Sequence, residues 1–255
     1  MLYPWQIVTR ALGLRLAGRL PFDIDSDGMW RDLEAVQTRV EAPTHESSLL
    51  HRGEATFIGL ITAGGDVNES RPSANGVYEK TEALAYCPNI GAFLDGLGLE
   101  FQRVRLLSLQ PGRRLPWHYD GLNAVDGHPN SLGARLHVPI VTNPYAWLQM
   151  SHETYRWQQG EAWWGDFSFP HRVANESDNT RVHLIMDVVI NNRFLKLMPD
   201  WFLQQREVRM KARRHAAGLC RAWYFYRPEY VPSSLRGLKQ RLIGSAFSRN
   251  RRTAD

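Results

Sequence analysis

The chain of 255 residues holds only two cysteines, Cys87 and Cys220, far apart and outside any metal-ligand spacing. That scarcity argues against a disulfide framework or a thiolate metal site, and ordinary thiols in a reducing, cytoplasmic setting are the expectation. No run of about 18 apolar residues occurs, so no segment is expected to cross a bilayer as a helix. The opening MLYPWQIVTRALGLRLAGRLPF alternates arginines with leucines and has neither a continuous apolar stretch nor a small-residue cleavage site, which speaks against a secretory signal. Internal repeats, low-complexity tracts and nucleic-acid-binding motifs are also lacking.

What is present suffices for a packed core: 43% hydrophobic residues and 11% aromatics. Charge is divided unevenly. The total is +5, but from Asn191 onward fifteen Lys/Arg face only four Asp/Glu, so the basic character belongs to the tail. Such a tail is either a solvated helical surface, the plainer expectation, or a patch for an acidic partner such as a carrier protein, an anionic lipid surface or a nucleic acid.

Residues 1–50 read as a helical segment packing on the central domain. Within them Asp25 to Val40 opens on Asp/Ser capping residues and places Met29, Leu33, Val36 and Val40 at helical spacing. Residues 51–190 form the core. Ala55 to Thr62 is a β-rich apolar run ended by Gly64-Gly65, and Pro88 to Leu97 suggests one short helix. Strands are expected at Gln102–Leu109, Gly133–Val141, Tyr145–Ser151, Gly160–Phe167 and Thr180–Ile190, separated by turn-rich stretches. That spacing favours a sandwich or barrel over a parallel sheet. Residues 191–255 read as a basic helical extension, with Phe202 to Gly218 rich in helix formers and interrupted later by Pro228 and Pro232.

Four residues carry the chemistry. His118 and Asp120 stand in His-Tyr-Asp, His171 comes about fifty residues later after Phe-Pro, and Arg181 lies ten beyond it. Two imidazoles and a carboxylate on one face of a metal leave coordination positions open, the arrangement of a non-haem Fe(II) oxygenase. A guanidinium beside them suits a dicarboxylic co-substrate such as 2-oxoglutarate. Two strands repeat one design: Arg135 and His137 alternate with Leu136, Val138 and Ile140, as Arg181 and His183 alternate with Val182, Leu184 and Met186. Either the polar rows face solvent, as in many antiparallel sheets, or they line a barrel and converge on an anion.

The segments RLHVPIVTNP and GEAWWGDFSFPHRVANESDNTRVHLIMDV, with CPNIGAFLDGL and RVRLLSLQPGRRLPWHYDG before them, resemble the aspartyl/asparaginyl β-hydroxylase family of Fe(II)/2-oxoglutarate-dependent oxygenases over roughly Leu84 to Val189. The chain is also similar to bacterial proline hydroxylases. The resemblance implies an α+β protein built on a double-stranded β-helix, or jelly roll, with flanking helices. It implies Fe(II), 2-oxoglutarate and dioxygen as cofactor and co-substrates, with His118, Asp120 and His171 as metal ligands. Arg181 is implied to hold the distal co-substrate carboxylate, Arg135 and His137 to lie near its metal-chelating end, and Ser108 to be a further contact; His183, on the face of Arg181, is either a residue that orients the co-substrate or a hydrogen-bonded histidine within the barrel. Asp120 departs from the animal aspartyl hydroxylases, which have Gly there, and restores the full ligand set. The insertion Leu122 to Leu132 is a second departure and a candidate substrate-covering loop.

The expected reaction is hydroxylation of an unactivated C–H bond in an amino acid, or in an amino-acid unit of a peptide or natural-product intermediate. Two other readings stand beside it: a non-catalytic jelly-roll module for an anionic ligand or acidic partner, and a zinc hydrolase using the same ligands, in which Arg181 has no diacid to hold. His51 or Arg52 is a candidate substrate contact, Arg113 and Arg114 a basic spot near the mouth. Trp117, Trp147, Trp163 and Trp164 are expected to serve packing before substrate binding.

Overall fold

A computed structural model describes residues 2–43, 55–69, 76–120 and 134–225. Among these residues, six α-helices and eleven strands succeed one another in the order α1 (Pro4–Ala11), β1 (Ala17–Leu20), α2 (Ser26–Gln37), β2 (Ala55–Ala63), β3 (Tyr78–Lys80), α3 (Pro88–Leu97), β4 (Phe101–Leu109), β5 (Arg114–His118), β6 (Ala134–Val141), β7 (Ala146–Met150), β8 (Glu153–Tyr155), β9 (Ala162–Gly165), β10 (His171–Asn175), β11 (Arg181–Val188), α4 (Asn192–Leu197), α5 (Asp200–Gln204) and α6 (Arg206–Phe225). The strands build two antiparallel sheets of order β1-β9-β6-β11-β4-β2-β3 and β5-β10-β7-β8, the jelly roll with flanking helices.

Alternation along the strands divides the protein into two apolar layers. Val104 and Leu106 of β4, Leu136 and Val138 of β6, and Leu184 and Met186 of β11 face outward and pack with Met29, Leu33 and Val36 of α2 and Ile90 and Leu94 of α3. Leu107, Leu109 and Ile185 face inward, toward Leu115, Leu148, Met150 and Val173 of the smaller sheet. The apolar rows therefore bury against helices, and the alternate polar rows are enclosed between the sheets.

Local sequence explains the helices that make this possible. Asp25 caps α2 by accepting from Gly28 N at 2.8 Å, and the buried Met29, Leu33 and Val36 recur on one face. Asp32, on the same helix, accepts from Ile90 N and Asn89 Nδ2, both at 2.7 Å, satisfying an orphan donor at the start of α3. On the smaller sheet's side, Trp5 of α1 is buried and meets Trp117 and Trp223 edge-on at 5.5 and 5.8 Å, joining α1, β5 and α6.

Several expectations need correction. Residues 1–50 are not wholly helical: Ala17–Leu20 pairs with β9 and extends the large sheet, too short a run to show alternation. The strands β5 and β10, which carry His118 and His171, were not expected; Pro116 and Pro170 and their brevity hide them. The large helix begins at Arg206 after a separate α5, rather than at Phe202. The insertion Leu122 to Leu132, His45, His51, Arg52, His128 and the prolines at 228 and 232 lie outside the described residues.

Replacing Asp32 by Ala strips two hydrogen-bond acceptors from buried donors on α3. Unfolding free energy in denaturant is expected to fall by about 1–3 kcal/mol, and an unchanged value would contradict the capping role.

Candidate metal and co-substrate site

The site grows from the register of the large sheet. Arg103 of β4, Asp187 of β11 and Arg135 of β6 are direct cross-strand partners, and Arg105, Ile185 and His137 form the next row. Directly opposed residues share a face, so all of these side chains point between the sheets. Farther along β11, His183 opposes Leu107 and Arg181 opposes Leu109, on that same inner face. Across the barrel, His171 of β10 is the register partner of His118 of β5.

These strands bring the candidate metal-binding trio together. Ligand atoms of His118, Asp120 and His171 all lie within 4.8 Å of one another. Asp120 Oδ1 is 4.0 Å from His118 Nε2 and 3.9 Å from His171 Nε2. Each ring is aimed by its other nitrogen: His118 Nδ1 bonds the Pro116 carbonyl at 2.8 Å and His171 Nδ1 the Phe169 carbonyl at 2.9 Å. A carbonyl only accepts, so in each ring the proton sits on Nδ1 and Nε2 is the nitrogen turned toward Asp120. Burial, followed by the proximity of His118, pushes His171 down to about 3, which keeps its imidazole neutral.

Asp120 is held from both ends. Its backbone N–H donates to Phe167 O at 2.9 Å, and Arg135 Nη1 bonds its Oδ2. Burial works to raise its pKa, but Arg135, His171 and His118 outweigh that and hold it well below the usual carboxylate range. Arg135 is itself anchored by Asp187, Nε to Oδ1 at 2.6 Å and Nη2 to Oδ2 at 3.2 Å. Arg103 donates to Asp187 Oδ2 from Nε at 2.9 Å and Nη2 at 2.6 Å. A buried chain Arg103–Asp187–Arg135–Asp120 thus fixes the carboxylate of the trio. The structure places Arg135 on two carboxylates, where the resemblance implied a co-substrate contact.

A group of buried polar side chains adjoins the trio. Arg181 is buried, and among the described residues no carboxylate pairs with it. Burial pushes its guanidinium down to about 9. Its Nη2 lies 3.0 Å from His183 Nδ1. Because a guanidinium only donates, that nitrogen accepts, and the His183 proton must sit on Nε2. Among the described residues His183 Nε2, His137 Nε2 and Trp157 Nε1 are all buried without a hydrogen-bond partner; His137 Nδ1 lies 3.4 Å from the accepting His183 Nδ1, so the His137 proton belongs on Nδ1 and its Nε2 is an acceptor. They are neighbours: the Trp157 ring lies 5.2 Å from His137 and 6.2 Å from His183. Phe167 stacks on His137 at 4.8 Å and meets His171 edge-on at 4.8 Å, walling the pocket from the trio's side.

Ser108 does not join them. It opposes Val182 and shares that residue's outward face, because a single step along a strand reverses the side chain. Of the tryptophans, Trp164 packs outward against Phe202 at 4.6 Å, as expected, whereas Trp163 opposes His137 and stacks on Trp157 at 5.5 Å inside the barrel. Arg114 is exposed and paired with Glu176 at 2.7 Å. Sequence reasoning missed Arg103, Arg105, Asp187 and Trp157. The alternation of Arg103, Arg105 and Leu107 with Val104 and Leu106 carried the signal for the first two.

The family model for aspartyl/asparaginyl β-hydroxylases matches residues 31–190. The chain belongs to the aspartyl/asparaginyl β-hydroxylase family. Among curated proteins it is 29% identical over 107 residues to the ornithine lipid ester-linked acyl 2-hydroxylase of Rhizobium tropici, covering 40% of this chain and 34% of that one. The match spans about a third of that relative's length. Solved structures with a similar arrangement include a 2-oxoglutarate–Fe(II) oxygenase-family oxidoreductase from Burkholderia pseudomallei, at 12% identity and TM-score 0.47 over 74% of this chain and 90% of that one. A prolyl-4-hydroxylase from Pseudomonas putida matches at 14% identity and TM-score 0.42, over 74% and 100%. The β-hydroxylase family assignment thus meets, in this chain, a donor set suited to a divalent metal and a neighbouring anion.

Exchanging Asp187 for Asn leaves Arg103 and Arg135 buried beside a neutral amide. The expected loss is about 3–5 kcal/mol of unfolding free energy. Metal affinity is expected to fall by roughly 10–100-fold, because the support of Asp120 goes with it. Asp187 and Asp120 both sit below the ordinary carboxylate range, so their contribution is present above about pH 4 and is lost as pH falls through the folded-state values. Denaturant unfolding across acid pH should therefore show a shallower slope in the variant than in the wild type; an identical slope would contradict the ion-pair chain.

Proposed function

We propose that the protein is an Fe(II)/2-oxoglutarate-dependent hydroxylase that oxidises an unactivated C–H bond of an amino acid or of an amino-acid-derived or peptidyl substrate. One observation carries the reading: two imidazoles and a carboxylate converge within 4.8 Å, beside a buried guanidinium that among the described residues has no carboxylate of its own. The donor chemistry fits the group. Nitrogen and carboxylate-oxygen ligands with no thiolate suit a divalent iron, and a pocket of donors suits a dianion. Bound iron and 2-oxoglutarate supply the oxidising power for attack by dioxygen on carbon.

The protein's residues supply position and exclusion. His118, Asp120 and His171 would hold the metal, with both rings fixed by backbone carbonyls before it arrives. Arg181 would grip the distal carboxylate, and His183 Nε2–H and Trp157 Nε1–H are placed to donate alongside it. Phe167, Trp157 and Trp163 surround that pocket with rings, which keeps water from it and strengthens each charge-assisted bond. Asp120, held deprotonated by Arg135, needs no proton removed before it can coordinate. The Rhizobium relative is named for an acyl group of a lipid that carries an amino acid, so acylated amino acids fall within the proposed substrate class.

The test is formation of succinate from 2-oxoglutarate in the presence of Fe(II), with calorimetric titration of the co-substrate alongside. Arg181→Ala is expected to weaken 2-oxoglutarate binding by roughly 30-fold or more, as removal of one partner from a buried charged pair does. Trp157→Phe, which deletes a single donor to a charged acceptor, should weaken it by about tenfold. Binding requires protonated Arg181, held at about 9 in the free protein, so affinity should be full below pH 9 and fall as pH rises through it. A protein that forms no succinate and binds 2-oxoglutarate no better than Arg181→Ala does would instead be the non-catalytic module.

A further inference from the structure

Six of the ten large hydrophobic side chains that stand exposed among the described residues lie on or beside α1 and α6: Leu2, Ile7, Leu12, Leu203, Val208 and Met210. The two helices pack along one another, and Gln205 ties their ends. Its Nε2 donates to Gly13 O at 3.0 Å and its Oε1 accepts from Arg15 N at 3.0 Å, so Leu12, Leu203 and the start of α6 belong to one surface.

The same surface is basic. On α6, Arg206, Lys211, Arg214 and Arg221 are exposed, while Glu207 is the helix's only acidic residue. Exposed Arg10 and Arg15 flank the end of α1. The inward face of α6 is spent on Arg209, Ala212, Ala216 and Cys220, all buried, so Arg206, Lys211 and Arg214 and the outward apolar groups stand away from the packed face. The sequence beyond, residues 226–255, adds seven Lys/Arg against two acidic residues.

We propose that the α1–α6 face docks on a membrane surface bearing anionic lipids. Cations interspersed with single protruding apolar side chains on a helix pair match a charged headgroup layer over hydrocarbon. An acidic protein would instead favour a contiguous apolar patch with a polar rim. The position also serves the site. The Arg221 guanidinium lies 5.9 Å from the ring of Tyr119, the residue between His118 and Asp120, so the docked helix runs up to the metal-binding loop. Resting on the hydroxylase reading, this places a lipid-borne substrate, an acylated amino acid in a bilayer, within reach of the site.

The test uses the full chain without added iron or co-substrate, in flotation with vesicles of phosphatidylcholine alone or with about one-third phosphatidylglycerol. Binding is expected only to the anionic vesicles, and it should weaken as salt rises. The triple variant Arg206→Glu/Lys211→Glu/Arg214→Glu should bind on the order of a hundredfold more weakly, with unchanged melting and unchanged 2-oxoglutarate affinity. Ile7→Asp/Met210→Asp, which leaves the basic residues in place, should also lower binding. Absence of binding, equal binding to neutral vesicles, or wild-type binding by the triple variant overturns the proposal. Because vesicle binding is read without the metal, its failure leaves the hydroxylase reading standing, and loss of succinate formation leaves the docking result standing.

Discussion

The inside of the barrel is a problem of charge balance. Four buried or nearly buried guanidinia, Arg103, Arg105, Arg135 and Arg181, share it with two carboxylates, Asp120 and Asp187. Asp187 is spent on Arg103 and Arg135, and Asp120 completes Arg135. Burial, then the neighbouring Arg103 and Arg135, push Arg105 well below the normal arginine range, and among the described residues its Nε and Nη1 have no hydrogen-bond partner. Among the described residues Arg181 is left with only a histidine. Leaving a buried cation without a counter-ion is costly, and a fold keeps such a group where a ligand's charge completes it.

That constraint orders the rest of the molecule. The large sheet must turn its apolar rows outward onto α2 and α3 so that its polar rows can be enclosed, and the smaller sheet must close the barrel over them with His118 and His171. Carbonyls of Pro116 and Phe169 set the imidazoles, and the Asp187–Arg135 pair sets the carboxylate. His118 and His171 therefore stand on the smaller sheet and Arg181 and His183 on the larger, each positioned by a strand, with Asp120 two residues beyond β5.

Much of this was legible in the residue order. His118, Asp120, His171 and Arg181 were named from spacing and residue type, and alternation in two strands announced the polar rows, although it could not say whether they faced water or the interior. What decided that was the apolar complement: Met29, Leu33 and Val36 of α2 cover the other face. Ser108 was misplaced because face assignment depends on register, and one position reverses it. The histidine-bearing strands escaped notice because they are five residues long and lie beside prolines. Trp157 and Asp187 were invisible as partners because their roles arise from neighbours distant in sequence.

The helices around the barrel add a second level. Those against the large sheet close its apolar face, while α1 and α6 close the smaller one with half of their surface and leave a basic, partly apolar half outside. Arg221 of that basic half lies 5.9 Å from the ring of Tyr119, between His118 and Asp120.

The most direct measurement of the central claim is the visible spectrum of the anaerobic Fe(II) protein on addition of 2-oxoglutarate. The account predicts a broad charge-transfer absorption from the chelated keto acid in the wild type, and its loss in Asp120→Ala at the same iron and co-substrate concentrations. A spectrum that does not change on addition, in wild type at saturating 2-oxoglutarate, would contradict the gathering of metal and diacid in this barrel.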